Sequence, residues 1–173
     1  MRKINLNKII TSKSKIEQFK KDKYYYLAID NFLIIRFDRH DLFTAVSERK
    51  INERKKENER VYTLYNEIVH DDELQTTGFT NYVKHTRTDS FHIFKTENKF
   101  KFIDSKFINL LEDHVLDYQL ESRDSPLTPL VARHKQEKIS FVIMPIRMKN
   151  TEFEFELKEN KKWKILIVNG YTN

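Results

Sequence analysis

Tyr24-Tyr25-Tyr26-Leu27-Ala28-Ile29 is followed by Asp30-Asn31 and then by Phe32-Leu33-Ile34-Ile35-Arg36-Phe37. Two runs rich in aromatic and β-branched residues, separated by a pair of turn-forming residues, spell a β-hairpin. Neither run alternates cleanly between apolar and polar positions. Both strands are therefore expected to be buried on both faces, or covered by helices.

Outward from this hairpin the pattern mixes helix and strand. Ser12 or Ser14 is placed to cap a short helix in which Ile16 and Phe19 share a face and Lys20, Lys21 and Lys23 suit the C-terminal end. From Asp41 to about Asn58 the residues favour a helix, with Leu42, Phe43 and Val46 as its apolar turn. Glu48 to Arg60 has no apolar stripe and reads as a solvated helix or exposed loop. Val61, Tyr62, Leu64, Tyr65, Ile68 and Val69 return to the core, and His70 to Tyr82 reads as a long polar connection. Ser90–Lys95 and Lys99–Ile103 alternate around Thr96-Glu97-Asn98 and predict a second hairpin. Asp104 or Ser105 caps a helix over Lys106–Leu116, where Phe107, Leu110, Leu111 and Val115 recur at helical spacing. Strands are expected over Asp117–Glu121 and Lys138–Ile146, with loops at Ser125-Pro126 and Thr128-Pro129. A last hairpin joins the Glu152/Glu154/Glu156 stripe, taken as solvent-facing, to Trp163–Val168.

The totals restrict what such a chain can do. Its 173 residues, 39% hydrophobic with 13 Phe and 8 Tyr, suffice for one folded unit with a genuine core. Cys is absent, which excludes disulfides, thiolate nucleophiles and cysteine zinc sites. The opening segment lacks a signal-peptide apolar stretch and no later one approaches a membrane span, so a cytoplasmic protein with no membrane partner is expected. Only 2 Gly and 3 Pro amid abundant Lys, Asn, Ile and Phe fit an AT-rich genome, such as that of a low-GC bacterium or its phage. With Gly78 and Gly170 alone, no phosphate loop or dinucleotide fingerprint can be assembled.

Candidate chemistry is sparse, and neither a catalytic residue nor a cofactor is assigned. His70, Asp71, Asp72 and Glu73 hold the residue types of a divalent-metal or proton-transfer site, but consecutive residues rarely converge on one ion, and a solvated acidic loop explains them equally. His85, His92, His114 and His134 stand apart, and Ser90, Ser125 and Ser140 lack the glycines of a nucleophile elbow. A formal charge of +6 favours an anionic partner. Arg49, Lys50, Arg54, Lys55 and Lys56 are the residues available to contact the phosphates of duplex DNA or another partner. The interleaved Glu48, Glu53, Glu57 and Glu59 offer the alternative of internal ion pairs.

Several segments resemble the bacterial DNA polymerase III beta sliding clamp family. Phe102-Ile103-Asp104-Ser105-Lys106-Phe107-Ile108-Asn109-Leu110-Leu111 looks like the start of a helix in the family's last domain, and Asp117 to Leu120 like the strand after it. Pro126 to Val131 looks like the stretch before the last strand. Met144, Pro145 and Arg147, within Ile139–Met148, hold the positions of the family's Met-Pro-x-Arg signature. Tyr25 to Arg36 is similar to a clamp hairpin in which Asn31 replaces the turn glycine. Asp41-Leu42-Phe43 resembles the last three positions of the peptide by which partners dock on clamps, with Arg39 and His40 where its Gln and first Leu would stand.

The resemblance implies an α+β fold: an antiparallel sheet with two or three helices packed on one face and turned toward DNA. Residues 1–148 form the clamp-like module and 149–173 a C-terminal hairpin extension of a single domain. It further implies a non-enzymatic, phage-type protein that binds the host sliding clamp, with Asp41, Leu42 and Phe43 as anchor, and so inhibits DNA replication. A processivity clamp assembled from small subunits, a module that pairs with itself as a homodimer, and an anti-defence protein that binds a nuclease or nucleic acid are the alternatives.

Overall fold

The computed structural model describes residues 3–111 and 117–147, together with the backbone of 165–166. Strands β2 (Tyr24–Ile29) and β3 (Leu33–Phe37) form the expected antiparallel hairpin, with Ile29 opposite Leu33. Its connection is one residue longer than expected. Asp30 takes the left-handed conformation at φ 53, which a short polar side chain tolerates, and Phe32 leaves the strand, 45% exposed. Leu27, Ile29, Leu33, Ile35 and Phe37 enter one core, while Tyr26, Ala28 and Ile34 enter another on the opposite face. Burial on both faces explains the unbroken apolar runs.

β1 (Ile16–Lys21) pairs antiparallel with β2 from Ile16 opposite Ile29 to Lys21 opposite Tyr24. This corrects the expected helix around Ile16 and Phe19. Burial alternates, with Ile16 and Gln18 inside, and Asp22 turns the chain at φ 54. A six-residue helix is marginal alone, whereas β2 offers a complete ladder. β3 pairs on its other side with β11 (Ser140–Ile143), followed in space by β10 (Leu130–His134), β9 (Tyr118–Ser122) and β5 (Gln75–Thr76). β4 (Lys56–Glu57) runs parallel beside β1. The large sheet is thus two three-stranded meanders, β1-β2-β3 and β9-β10-β11, joined antiparallel through β3 and β11. β10 falls on residues for which no element was expected, between the loops at Ser125-Pro126 and Thr128-Pro129 and the strand from Lys138. Its apolar signal is only Leu130-Val131-Ala132 before Arg133 and His134.

Among the described residues three α-helices accompany the sheet: α1 (Ala45–Arg54), α2 (Arg60–Val69) and α3 (Ser105–Ile108). Val61, Tyr65 and Val69, four residues apart, lay α2 against Tyr26, Ala28, Ile34, Val131 and Val142. Ile51 of α1, Phe107 and Ile108 of α3, and Ile4, Leu6, Ile9 and Ile10 cover the other face. The helices therefore lie on both sides of the sheet, not on one, because both faces are apolar. A second sheet, β12-β6-β7-β8, contributes Phe94 and Ile103 to the same core. It comprises β6 (Gly78–His85), β7 (Ser90–Lys95), β8 (Phe100–Asp104) and β12 (Ile165–Leu166). The connection expected over His70 to Tyr82 thus holds β5 and the start of β6.

Asp104 caps α3 by accepting from the Lys106 amide at 3.0 Å. The helix spans four residues and continues as turns to Leu111, so the expected longer helix is reached only in part, and 112–116 lie outside the described residues. The C-terminal hairpin and its glutamate stripe also lie outside them, except for Ile165 and Leu166, which pair with Thr80 and Phe79. After β11 the Met144 amide donates to Phe32 O at 2.9 Å and the Ile146 amide to Phe102 O at 2.8 Å. Met144-Pro145 therefore carries the chain from the large sheet to the small one. No helix among the described residues is long and apolar enough to cross a membrane.

The Tyr65 hydroxyl meets the Ser140 hydroxyl at 2.5 Å, and both side chains are buried. Tyr65→Phe strands the serine and should lower unfolding free energy by about 1–2 kcal/mol in urea titrations. Tyr65→Phe with Ser140→Ala removes both groups and should cost less than the single change. A double variant weaker than the single one would show that the bond is not the cause.

Candidate functional site

The Asp41-Leu42-Phe43 trio lies in one 3-10 turn, His40–Leu42, and the residue after it. Leu42 and Phe43 are 5% and 1% exposed, and the Phe43 ring packs edge-on against Phe37 at 4.9 Å. Ile4 lies alongside: its amide donates to Leu42 O at 2.7 Å, and its carbonyl accepts from the Thr44 amide at 3.0 Å. The apolar pair thus serves this chain's own core. Asp41 is open to solvent and pairs with Arg39 at 3.2 Å.

The basic run divides by partner. Thr44 caps α1 by accepting from the Ser47 amide at 3.3 Å. Lys50 Nζ donates to Asn7 Oδ1 at 2.5 Å and Ile10 O at 3.2 Å, and Arg54 donates to Thr11 O. Ser47 Oγ, fully buried, accepts from the Leu6 amide at 2.8 Å. One side of α1 is therefore a latch that holds residues 6–11 over the core. Arg49 pairs with Glu53 at 3.8 Å, Lys55 donates to Asn52 at 2.9 Å, and Lys56 is exposed on β4. Spacing alone did not reveal the latch, since its partners, mostly main-chain groups of residues 6–11, lie some forty residues away.

The acidic stretch after α2 is drawn to one cation. Arg123 binds Asp71 and lies 3.1 Å from Glu73, and its guanidinium holds the Asp71 carboxyl below the ordinary carboxylate range. Among the described residues no three His, Asp or Glu side chains are grouped to hold a metal ion. A second polar knot ties the β9–β10 connection to the small sheet. Asp124 accepts from Thr96 Oγ1 at 2.6 Å and from the Asn98 amide and side chain at 2.9 and 2.8 Å, which draws its pKa down to about 2. Fully buried Lys101 donates to Ser125 O and to Thr128 O and Oγ1, the latter two at 3.0 and 2.7 Å.

A cluster that the sequence reading passed over lies on the α2 side of β1–β3. Lys21 Nζ sits 5.9 Å from the Tyr62 ring centre, Lys23 Nζ 5.4 Å from that of Tyr24, and the Arg36 guanidinium 4.8 Å from Tyr24 and 5.8 Å from Tyr65. Among the described residues none of these three cations has an ion pair or a side-chain hydrogen bond. Arg36 Nε is buried without an acceptor. Arg133, on the same face, differs: it donates to Glu121 at 2.9 Å and to Val69 O, at the end of α2, at 2.6 Å. The signal for the cluster was the tyrosine run beside Lys21 and Lys23, but a helix reading had assigned those lysines to a helix end.

Phe43→Ala should cost about 3–5 kcal/mol of stability, as for an aromatic side chain removed from a packed core. Lys55→Gln with Lys56→Gln should change it by less than about 0.5 kcal/mol. Burial pushes His40 and His92 below the ordinary 6.5, with Lys55 adding to the effect at His40 and His85 at His92. The unfolded chain then binds more protons than the folded one below pH 6.5, so stability falls as pH drops through that value. His40→Gln with His92→Gln should flatten the fall in melting temperature between about pH 7 and 5; an undiminished slope would refute that origin. Comparison with known proteins finds no matching family model, no matching curated relative and no matching solved structure.

Proposed function

We propose that this chain acts by binding and not by catalysis, as a phage-type protein that engages the host DNA polymerase sliding clamp in the cytoplasm and blocks replication. The observation that carries the reading is the order strand, helix, strand, strand, strand from Phe100 to Ile143, ending at Met144-Pro145-Ile146-Arg147. It falls on the residues whose sequence resembles the clamp's last domain. The non-enzymatic half is supported by the commitment of the reactive side chains: Asp71, Glu73, Asp124 and Lys101 each serve a bond within the chain. Of the proposed anchor trio, Asp41 is open to solvent and paired with Arg39, whereas Leu42 and Phe43 are buried beside the Ile4 segment, which would have to lift for them to meet a clamp.

Size-exclusion chromatography with mass measurement, with and without purified sliding clamp, tests the proposal. A species with the summed mass of clamp and this chain is expected, together with loss of clamp-dependent DNA synthesis. Separate elution of the two proteins at micromolar concentration would end it. A ring-sized assembly of this chain alone would support a processivity factor instead.

A further inference from the structure

Lys21, Lys23 and Arg36 lie on one face of the large sheet, each over a tyrosine ring, and none is neutralised by a carboxylate among the described residues. Lys15, Arg39, Arg49, Lys106, Arg123 and Arg133 have carboxylate partners; these three cations rest on aromatic rings instead. Arg36 is the sharpest case. Its Nε is shielded from water, so the donor pays desolvation without a returning bond, a situation that a bound anion relieves. Asp22, in the turn between the two lysines, is exposed and points to no cation.

The rings decide which anion. Tyr24 and Tyr62 are half-buried; Tyr62 is held by Tyr26, edge-on at 5.1 Å, and Phe19, at 6.2 Å, and Tyr24 packs against the core on the α2 side. Fixed aromatic faces alternating with unpaired cations are the means by which proteins hold single strands, since phosphates take the charges and unstacked bases take the rings. A duplex offers phosphates but no open base faces. We propose that Lys21, Lys23, Tyr24, Arg36 and Tyr62 form a binding site for single-stranded nucleic acid. The site is separate from the basic run of α1 and independent of clamp binding.

Fluorescence anisotropy of a labelled oligothymidylate across a salt series tests it with the full chain. Three phosphate contacts predict a log–log salt slope of about −2, at roughly −0.7 per phosphate on a single strand. Lys21→Gln with Lys23→Gln, both exposed and remote from the core, should retain the parent melting temperature and bring the slope to about −0.7. Tyr62→Leu should weaken binding by about fivefold through one lost stacking contact. Lys55→Gln with Lys56→Gln should leave the slope unchanged. Absence of binding at low salt, a slope untouched by the Lys21 and Lys23 changes, tighter binding of duplex, or equal competition by polyglutamate would each overturn the proposal. If Arg36→Gln fails to fold, the lysine pair still decides the matter.

Discussion

The β2–β3 hairpin carries apolar side chains on both faces, and neither face can be left to water. Leu27, Ile35 and Phe37 are fully buried on one side and Tyr26 and Ile34 nearly so on the other. Each such side chain contributes about 1.5–3 kcal/mol by leaving water. The remaining architecture follows from covering both faces. α2 closes one side with Val61, Tyr65 and Val69, and the N-terminal segment, α1, α3 and the small sheet close the other. The two meanders extend the hairpin sideways, so that β2 and β3 are central strands and their backbone groups are paired on both edges.

Covering the second face falls partly to an irregular segment, which cannot satisfy its own backbone. Residues 4–11 solve this with borrowed partners: Leu42 and Thr44 from the 3-10 turn, and Ser47, Lys50 and Arg54 from α1. The same logic operates at the β9–β10 connection, where Lys101 and Asp124 satisfy a loop that packs against the small sheet. Charged residues that look like surface decoration are in both places structural. This accounting removes Lys50 and Arg54 from the cations free to meet a polyanion, and removes Asp71 and Glu73 from the carboxylates free to hold a metal.

Other cations stay outside such bonds, and three of them gather over tyrosine rings. The cations at the α2 side of β1–β3 rest on rings without an opposing charge, while the α1 run is partly spent on latching and local pairs. A positive formal charge of +6 becomes informative only when its paired members are set aside.

By itself the sequence determined the mixture of helix and strand, the hairpins over Tyr24–Phe37 and Ser90–Ile103, a cap at Asp104 or Ser105 and the strand over Asp117–Glu121. Each of these rests on local chemistry: turn residues between β-rich runs, or a carboxylate beside its own helix amide. It misassigned Ile16–Lys21 and missed β10, because segments of five or six residues with only two or three apolar positions fit either period. Strand pairing with β2 and β11 settled both, through ladders whose hydrogen bonds neither segment can make alone. Likewise Leu42-Phe43 was legible as an apolar pair, yet only the tertiary structure decided that Ile4 and Phe37 would occupy its faces. The Arg36 cluster was only partly legible, in the tyrosine run beside Lys21 and Lys23. Its rings and cations come from β1, the β1–β2 turn, β2, β3 and α2, and burial, which no local pattern encodes, left Arg36 Nε without an acceptor.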